Sequence, residues 1–332
     1  GQTAEQPAVR DRSAEPPTGP WPGPAGPPST GQGPNEPPPG AVPPPGGVPA
    51  PTVPVSGGRA GRNLPAAIGV GVGLGAVVLA SLFIWRPAFL IVLIAGVVLG
   101  TWEMVRALGR ATEPAKRARP PLVPLVVGAL AMEVLAWFGG LEALTVGLVF
   151  TVAAVLIWRL ADGPAGYRRD VAAATLVACY VPFLAGFGVL LARPEDGAWR
   201  VVLALAMVVC SDTGGYAVGV FLGKHRMAPV ISPGKSWEGF AGSVAVSALA
   251  GALILLLGFD RPWWYGVVFG VAVSLASVLG DLAESLLKRD LGLKDMGHLL
   301  PGHGGVMDRL DSILLAVPVA FALLSVLLPS GG

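Results

Sequence analysis

Charge is scarce in this chain. Only 13% of its 332 residues are Asp, Glu, Lys or Arg, against 53% hydrophobic. A soluble domain carries roughly a quarter charged residues, so the deficit excludes an ordinary water-solvated globule, and the mean hydropathy of +0.65 agrees. Lysine is scarcer still, with five copies against 18 arginines, and four of the five stand at or beyond position 224. Cysteine is limited to Cys179 and Cys210, both inside apolar runs. Two such thiols make neither a disulfide framework nor a zinc site by themselves and read as small buried hydrophobes. The net charge of +2 carries no argument for a polyanionic partner, and no nucleic acid is expected.

What the chain has is apolar length. A membrane span needs about 20 mostly apolar residues, and nine candidate spans follow one another at about 65–84, 88–105, 121–138, 142–158, 171–192, 201–221, 240–258, 265–283 and 309–328. The expected fold is therefore all-α, a polytopic membrane protein over 64–332. Residues 1–63, with stretches such as GPPSTGQGPNEPPPGAVPPPGGVPAP, show no apolar periodicity. They read as a disordered Pro/Gly-rich tail, with a polyproline docking segment as the alternative. This tail shows no short apolar core of a signal peptide. If it is cytoplasmic, all of the 23 Lys and Arg except Arg86, Arg193, Arg200 and Arg261 fall on the cytoplasmic side, as the positive-inside rule asks. Trp263, Trp264 and Tyr265 then sit at an outer aromatic belt.

Three polar islands share that cytoplasmic face. The first, VVCSDTGGYAVGVFLGKHR (208–226), sets Asp212 in an apolar helix, where an acid marks a functional site unless it merely pairs with an arginine for packing. Its glycines, Gly214, Gly215, Gly219 and Gly223, suit close helix contact. The second, APVISPGKSWEGF (228–240), has a turn signal at Pro233-Gly234. It places Lys235 and Ser236 at the start of a helix, where backbone N–H groups and the dipole favour a phosphate; the glycine spacing of a Walker motif is absent. The third runs from GDLAESLLKRD (280–290) through KRDLGLKDMGHLLPGHGGVMDRLDS (288–312). Asp281, Glu284 and Lys288 share one helix face at spacings of three and four, and Asp308 and Asp311 face alike as the last helix begins. Clustered carboxylates suit Mg²⁺, which takes one or two of them with water and substrate phosphate. Lys288, Arg289, Lys294 and Arg309 would neutralise phosphate oxygens beside it. Gly302, Gly304 and Gly305 allow close backbone approach or dihedrals closed to other residues. His303 would contact phosphate, orient a carboxylate, or serve as a hydrogen-bonding support. Acids, bases and glycines at a membrane surface describe a phosphoryl-group site.

The run SLLKRDLGLKDMGHLLPGHGGVMDRLD, Ser285 to Asp311, resembles the signature of the phosphatidate cytidylyltransferases, the CDP-diacylglycerol synthases. Upstream, SDTGGYAVG, FLGKHRMAP and SPGKSWEGF resemble further blocks of that family in the same order. The resemblance covers about residues 65–330 and is strongest beyond 208. It implies transfer of a cytidylyl group from CTP to phosphatidic acid, forming CDP-diacylglycerol and pyrophosphate for phospholipid synthesis. Carried over by position, it implies Mg²⁺ on Asp281, Asp308 and Asp311, with Lys288 and Arg309 in the catalytic set. Asp212, Lys235, Ser236, Arg289, Lys294, His303, Gly304 and Gly305 would bind substrate. CTP, phosphatidic acid and the lipid bilayer are the implied partners, with homodimer formation left open. The excess of Arg over Lys, with abundant Ala and Gly, hints at a bacterial plasma membrane.

Three rivals need other features. A CTP-dependent lipid kinase is not expected to carry HGGVMDRLD. A CDP-alcohol phosphotransferase needs an Asp-Gly-x-x-Ala-Arg core that is missing here. A transporter would set Asp212 and Asp281 near the midplane of inverted repeats, which are not evident.

Overall fold

The computed structural model describes residues 64–297, 299 and 304–328. The Pro/Gly-rich segment 1–63, Gly302 and His303 lie outside the described residues. The protein is all-α and membrane-spanning: among the described residues seven helices are long and apolar enough to cross a bilayer. In chain order the helices are α1 (Leu64–Ile84), α2 (Arg86–Gly109), α3 (Leu122–Ala161), α4 (Tyr167–Ala178), α5 (Leu184–Ala192), α6 (Gly197–Leu222), α7 (Trp237–Gly258), α8 (Trp263–Leu291) and α9 (Met307–Leu327). Large apolar side chains such as Phe138, Phe150, Phe221 and Leu257 point outward, as they do when the solvent is lipid rather than water.

The helix α3 holds two of the expected spans. It runs for 40 residues but breaks at Gly140, whose φ of 75° and ψ of −157° leave the helical region. The halves fold back on each other: a side chain added at Gly128 would meet Thr151, and one at Gly147 would meet Met132 and Leu135. Those pairs are symmetric about Gly139-Gly140, so α3 is a helical hairpin. The fifth expected span is also divided. Between α4 and α5 the chain takes one π-helical turn, Cys179–Phe183, around Pro182. Pro lacks the N–H of a regular α-turn, and such bulges recur at functional sites.

The connections between helices collect at two ends. At one end Thr112 donates its N–H to the Leu291 carbonyl at 2.9 Å, Lys116 pairs with Asp290 at 3.0 Å, and Arg119 N donates to Asp170 at 2.9 Å. At the other end Arg86 donates to the Glu195 carbonyl and Arg200 to the Leu328 carbonyl at 2.6 Å. The alternation matches the order of expected spans.

The tightest packing is among α6, α7, α8 and α9, and small residues allow it. Gly214 lies on the Gly242 carbonyl and Val246, Gly215 on Ser243, and Gly251 directly on Gly266. With lipid outside, backbone approach and interhelical hydrogen bonds supply the attraction that water would otherwise drive. Ser243 donates to the Ser211 carbonyl at 2.7 Å, and Ser211 and Ser274 share a bond of 2.9 Å. A short antiparallel ribbon, β1 (Arg226–Ala228) and β2 (Ser232–Ser236), joins α6 to α7. Its reversal falls at 229–231, so Pro233-Gly234 lies in β2 instead of forming the turn. A two-stranded ribbon has free edges, where Pro is tolerated.

Candidate active site

The three polar islands meet at one end of the α6–α9 bundle. On α8, positions 281, 284, 285 and 288 stack along one face, so Asp281, Glu284, Ser285 and Lys288 project together. α8 closes with Gly292 in the left-handed region (φ 70°), and Leu293 N returns to the Lys288 carbonyl at 2.8 Å. That closure turns the chain back toward α9. The two helices touch at Gly280, where an added Cβ would strike the Asp311 carbonyl. This crossing brings Asp281 and Asp311 to neighbouring positions on facing helices.

A cavity of about 300 Å³ opens here, lined by Asp212, Tyr216, Lys235, Ser236, Ser243 and Asp281 among others. Asp212, expected within an apolar helix, opens on this cavity, which relieves the cost of a carboxylate at membrane depth. It stands within electrostatic reach of Asp281 and Asp311, offset by Lys235 and Arg309. β2 delivers Lys235, whose Nζ lies 2.5 Å from Asp281 Oδ2. Ser236 is the N-cap of α7, its Oγ accepting the Gly239 N–H at 3.1 Å, so its oxygen already satisfies a helix-end donor. Glu238 in the same first turn accepts the backbone N–H groups of Lys224 and His225 and meets His225 Nδ1 at 2.6 Å. The ribbon is thereby fastened to α7 at its root.

Beside the cavity lies a second knot. Lys288 Nζ bridges Glu284 at 3.1 Å and Asp308 at 3.0 Å. Asp308 also accepts the N–H of Gly305 at 2.8 Å and of Met296 at 3.2 Å, so it ties both ends of the loop that precedes α9. Asp311 accepts the Ser312 N–H at 2.7 Å, and its carboxyl lies against that of fully buried Glu284. Arg289 donates to the Ile231 carbonyl at 3.3 Å and holds the ribbon's turn. Lys294 is exposed on the loop. Among the described residues no three His, Cys, Asp or Glu side chains converge into a ready-made metal site.

Two of the expected glycines have stated reasons. Gly304 has a φ of 80° and lies against the Asp308 carboxylate, while a side chain at Gly305 would collide with the carboxylate of Glu103. Glu103, on α2, was not expected. It is buried, accepts the Met307 N–H at 2.8 Å, and also fills the space beside Gly297. An acid inside the span 88–105 is the signal that would have found it, by the rule that singled out Asp212. Tyr180 was also missed: its hydroxyl is buried in the π-turn without a hydrogen-bond partner among the described residues, within electrostatic reach of Glu284, Asp311 and Asp281.

Comparison with known proteins identifies the family. Residues 65–327 match the model of the cytidylyltransferase family. The chain belongs to that family. It is similar to the phosphatidate cytidylyltransferase of Mycobacterium leprae (strain TN), with 42% identity over 81% of this chain and 90% of the relative. The phosphatidate cytidylyltransferase of Mycobacterium tuberculosis (strain ATCC 25618 / H37Rv) is 42% identical over 81% of this chain and 84% of its own. That of Haemophilus influenzae (strain ATCC 51907 / DSM 11121 / KW20 / Rd) is 33% identical over 73% and 92%. The family match begins with α1, so it includes the first five spans of this cytidylyltransferase, which carry no motif of their own. Glu103 and Tyr180 show what that half adds: it reaches the site from α2 and the π-turn.

Proposed function

We propose that this cytidylyltransferase moves the cytidylyl group of CTP onto phosphatidic acid, forming CDP-diacylglycerol and pyrophosphate. A phosphate oxygen of the lipid attacks the α-phosphorus of CTP. The bond from that phosphorus to the α–β bridging oxygen breaks, and pyrophosphate leaves with the electron pair. No protein nucleophile is needed, because the lipid phosphate is itself the attacking group. The protein's work is positioning and charge neutralisation. The observation that carries this reading is the pairing of each lysine of the site with an acid: Lys235 with Asp281, and Lys288 with Glu284 and Asp308. Phosphate oxygens entering the cavity would take over these lysines and release the carboxylates toward a cation.

The acids fit Mg²⁺ of the kind that takes one or two protein carboxylates and completes its shell with water and substrate phosphate. Asp281 and Asp311, on facing helices, would hold it, with Asp212 near; Asp308 would join them by releasing Lys288 to a phosphate. Bound there, the ion would neutralise charge developing on the phosphate oxygens. We place the site at the cytoplasmic face of a plasma membrane, since most of the basic residues lie in the connections at this end, where CTP is at hand.

The test is purified protein with phosphatidic acid, Mg²⁺ and CTP labelled at either the α- or the γ-phosphate. The reading requires α-label in the lipid product and γ-label in pyrophosphate. γ-Label in the lipid would make the protein a CTP-dependent kinase, and no labelled lipid from either would overturn the reaction.

A further inference from the structure

A cavity of about 180 Å³ opens near the end of α2, lined by Trp102, Glu103, Arg106, Arg110, Met296 and Gly297 among others. It shares no residue with the polar cavity at Asp281. Arg106 and Arg110 are exposed, and among the described residues neither forms an ion pair. Other bases at this end are paired: Lys116 with Asp290, and Arg159 and Arg169 with Asp170. The Arg106 guanidinium lies 4.5 Å from the centre of the Trp102 ring, a cation–π contact that steadies a long side chain. Glu103 adds one negative charge to the wall, but its carboxylate is buried and accepts the Met307 N–H. Two guanidiniums outweigh it.

We propose that this cavity binds the headgroup of an anionic phospholipid, which is held there and not consumed. Arg106 and Arg110 stand one helical turn apart and offer two forks of donors to phosphate oxygens. Basic pockets on transmembrane helices at a membrane surface suit such headgroups. The rest of α2 says that the phosphate arrives on a lipid. Ile91, Ala95, Leu99, Trp102, Arg106 and Arg110 recur at spacings of three and four and so share one face. Ile91, Ala95 and Leu99 are exposed. From Ile91 to Trp102 is about 16 Å at 1.5 Å per residue, close to one leaflet of a ~30 Å hydrocarbon core. A fatty chain lying along this outward stripe brings its phosphate to Arg106, with the amphipathic Trp102 ring at the interface between them. The acids around Asp281 line no part of this cavity, so the lipid is a resident and not a reactant. What it meets is the loop before α9, where Met296 N donates to Asp308 and Glu103 holds Met307 N. Occupancy therefore braces that loop from α2.

The test gives the full chain, stripped of lipid in a neutral detergent, equal amounts of phosphatidylcholine and phosphatidylglycerol. Native mass spectrometry reads the lipid retained, with thermal unfolding in parallel. Phosphatidylglycerol should be retained in preference and should raise the melting temperature. Arg106→Gln and Arg110→Gln should each lower the preference about fivefold, the loss of one surface charge facing an anionic headgroup. The double variant should lose both the preference and the melting shift, while melting like the wild type without lipid. Arg168→Gln removes an exposed base at the same end and should leave the preference intact. An equal fall there would reduce the effect to diffuse positive charge and overturn the site. Equal retention of both lipids, or an unchanged preference in the double variant, overturns it too. Inorganic phosphate that displaces phosphatidylglycerol and reproduces its melting shift would show a site for free phosphate instead of a lipid. A wild-type dimer that the double variant breaks would assign this face to a second copy of the chain. Every readout is of binding, so failure of the proposed reaction is distinguishable from failure of this site.

Discussion

Glu103 shows how a single side chain can support a site it does not belong to by motif. Its carboxylate accepts the Met307 N–H at the start of α9 and fills the space that Gly297 and Gly305 leave. The described ends of the loop before α9, at Gly297 and Gly305, therefore lie around an acid from a helix about two hundred residues earlier. Replacing Glu103 by Ala removes a buried, charge-assisted acceptor and opens a hole beside two glycines. The expected cost is about 2 kcal/mol of stability, read as a lower melting temperature in detergent, together with a fall in turnover as Asp308 loses its fixed loop. Gln keeps the acceptor oxygen and should recover much of the melting temperature. A Glu103→Ala protein with wild-type melting and turnover would show that the loop holds itself.

At the scale of elements, the decisive contact is the crossing of α8 and α9. Only a glycine at 280 lets the helices approach until its Cα faces the Asp311 carbonyl. That approach sets the separation of Asp281 and Asp311. Gly280→Ala would press a methyl group into backbone, which cannot swing aside as a side chain can. Overpacking of this kind costs about 2 kcal/mol, and pushing the helices apart should depress turnover further than the melting temperature alone explains. A variant equal to wild type in both would mean that the acids do not depend on this crossing. The ribbon β1–β2 is the other device at this scale. Its Pro233-Gly234 read as a turn and its Lys235-Ser236 as the entry to a helix, and Ser236 does cap α7. The two strands were not legible, because they are short and neither alternates clearly.

For the whole molecule, apolar length was the readable signal. Nine apolar runs anticipated the order of helices, and their alternation agrees with which connections touch at each end. The hairpin in α3 was legible as two spans because Gly139-Gly140 interrupts the run. The π-turn at Cys179–Phe183 was not, since a single proline in an apolar run signals a kink without saying how the freed backbone groups are arranged. Within the site, charge in a chain poor in it made Asp212, Asp281, Lys288, Asp308 and Asp311 visible. Pairings were invisible: no spacing says that Lys235 of one island lies on Asp281 of another. Glu103 carried the same signal as Asp212, an acid inside an apolar span, but stands outside the three polar islands; Tyr180 was passed over because its neighbours in space are far along the chain.

In the function proposed above, acids gathered at the ends of α6, α8 and α9 would carry cytidylyl transfer with a divalent cation. The most direct measurement is turnover of Asp281→Asn against Mg²⁺ concentration, with thermal unfolding followed in parallel. Asn keeps the volume and a neutral carbonyl but loses the charge that holds a hard cation. Loss of that charge should lower turnover by at least about a hundredfold, equivalent to about 3 kcal/mol of lost phosphate-charge neutralisation. Partial recovery at raised Mg²⁺ or with Mn²⁺, at an unshifted melting temperature, is the predicted result. Wild-type turnover with unchanged metal dependence would contradict it and reduce Asp281 to the ion-pair partner of Lys235.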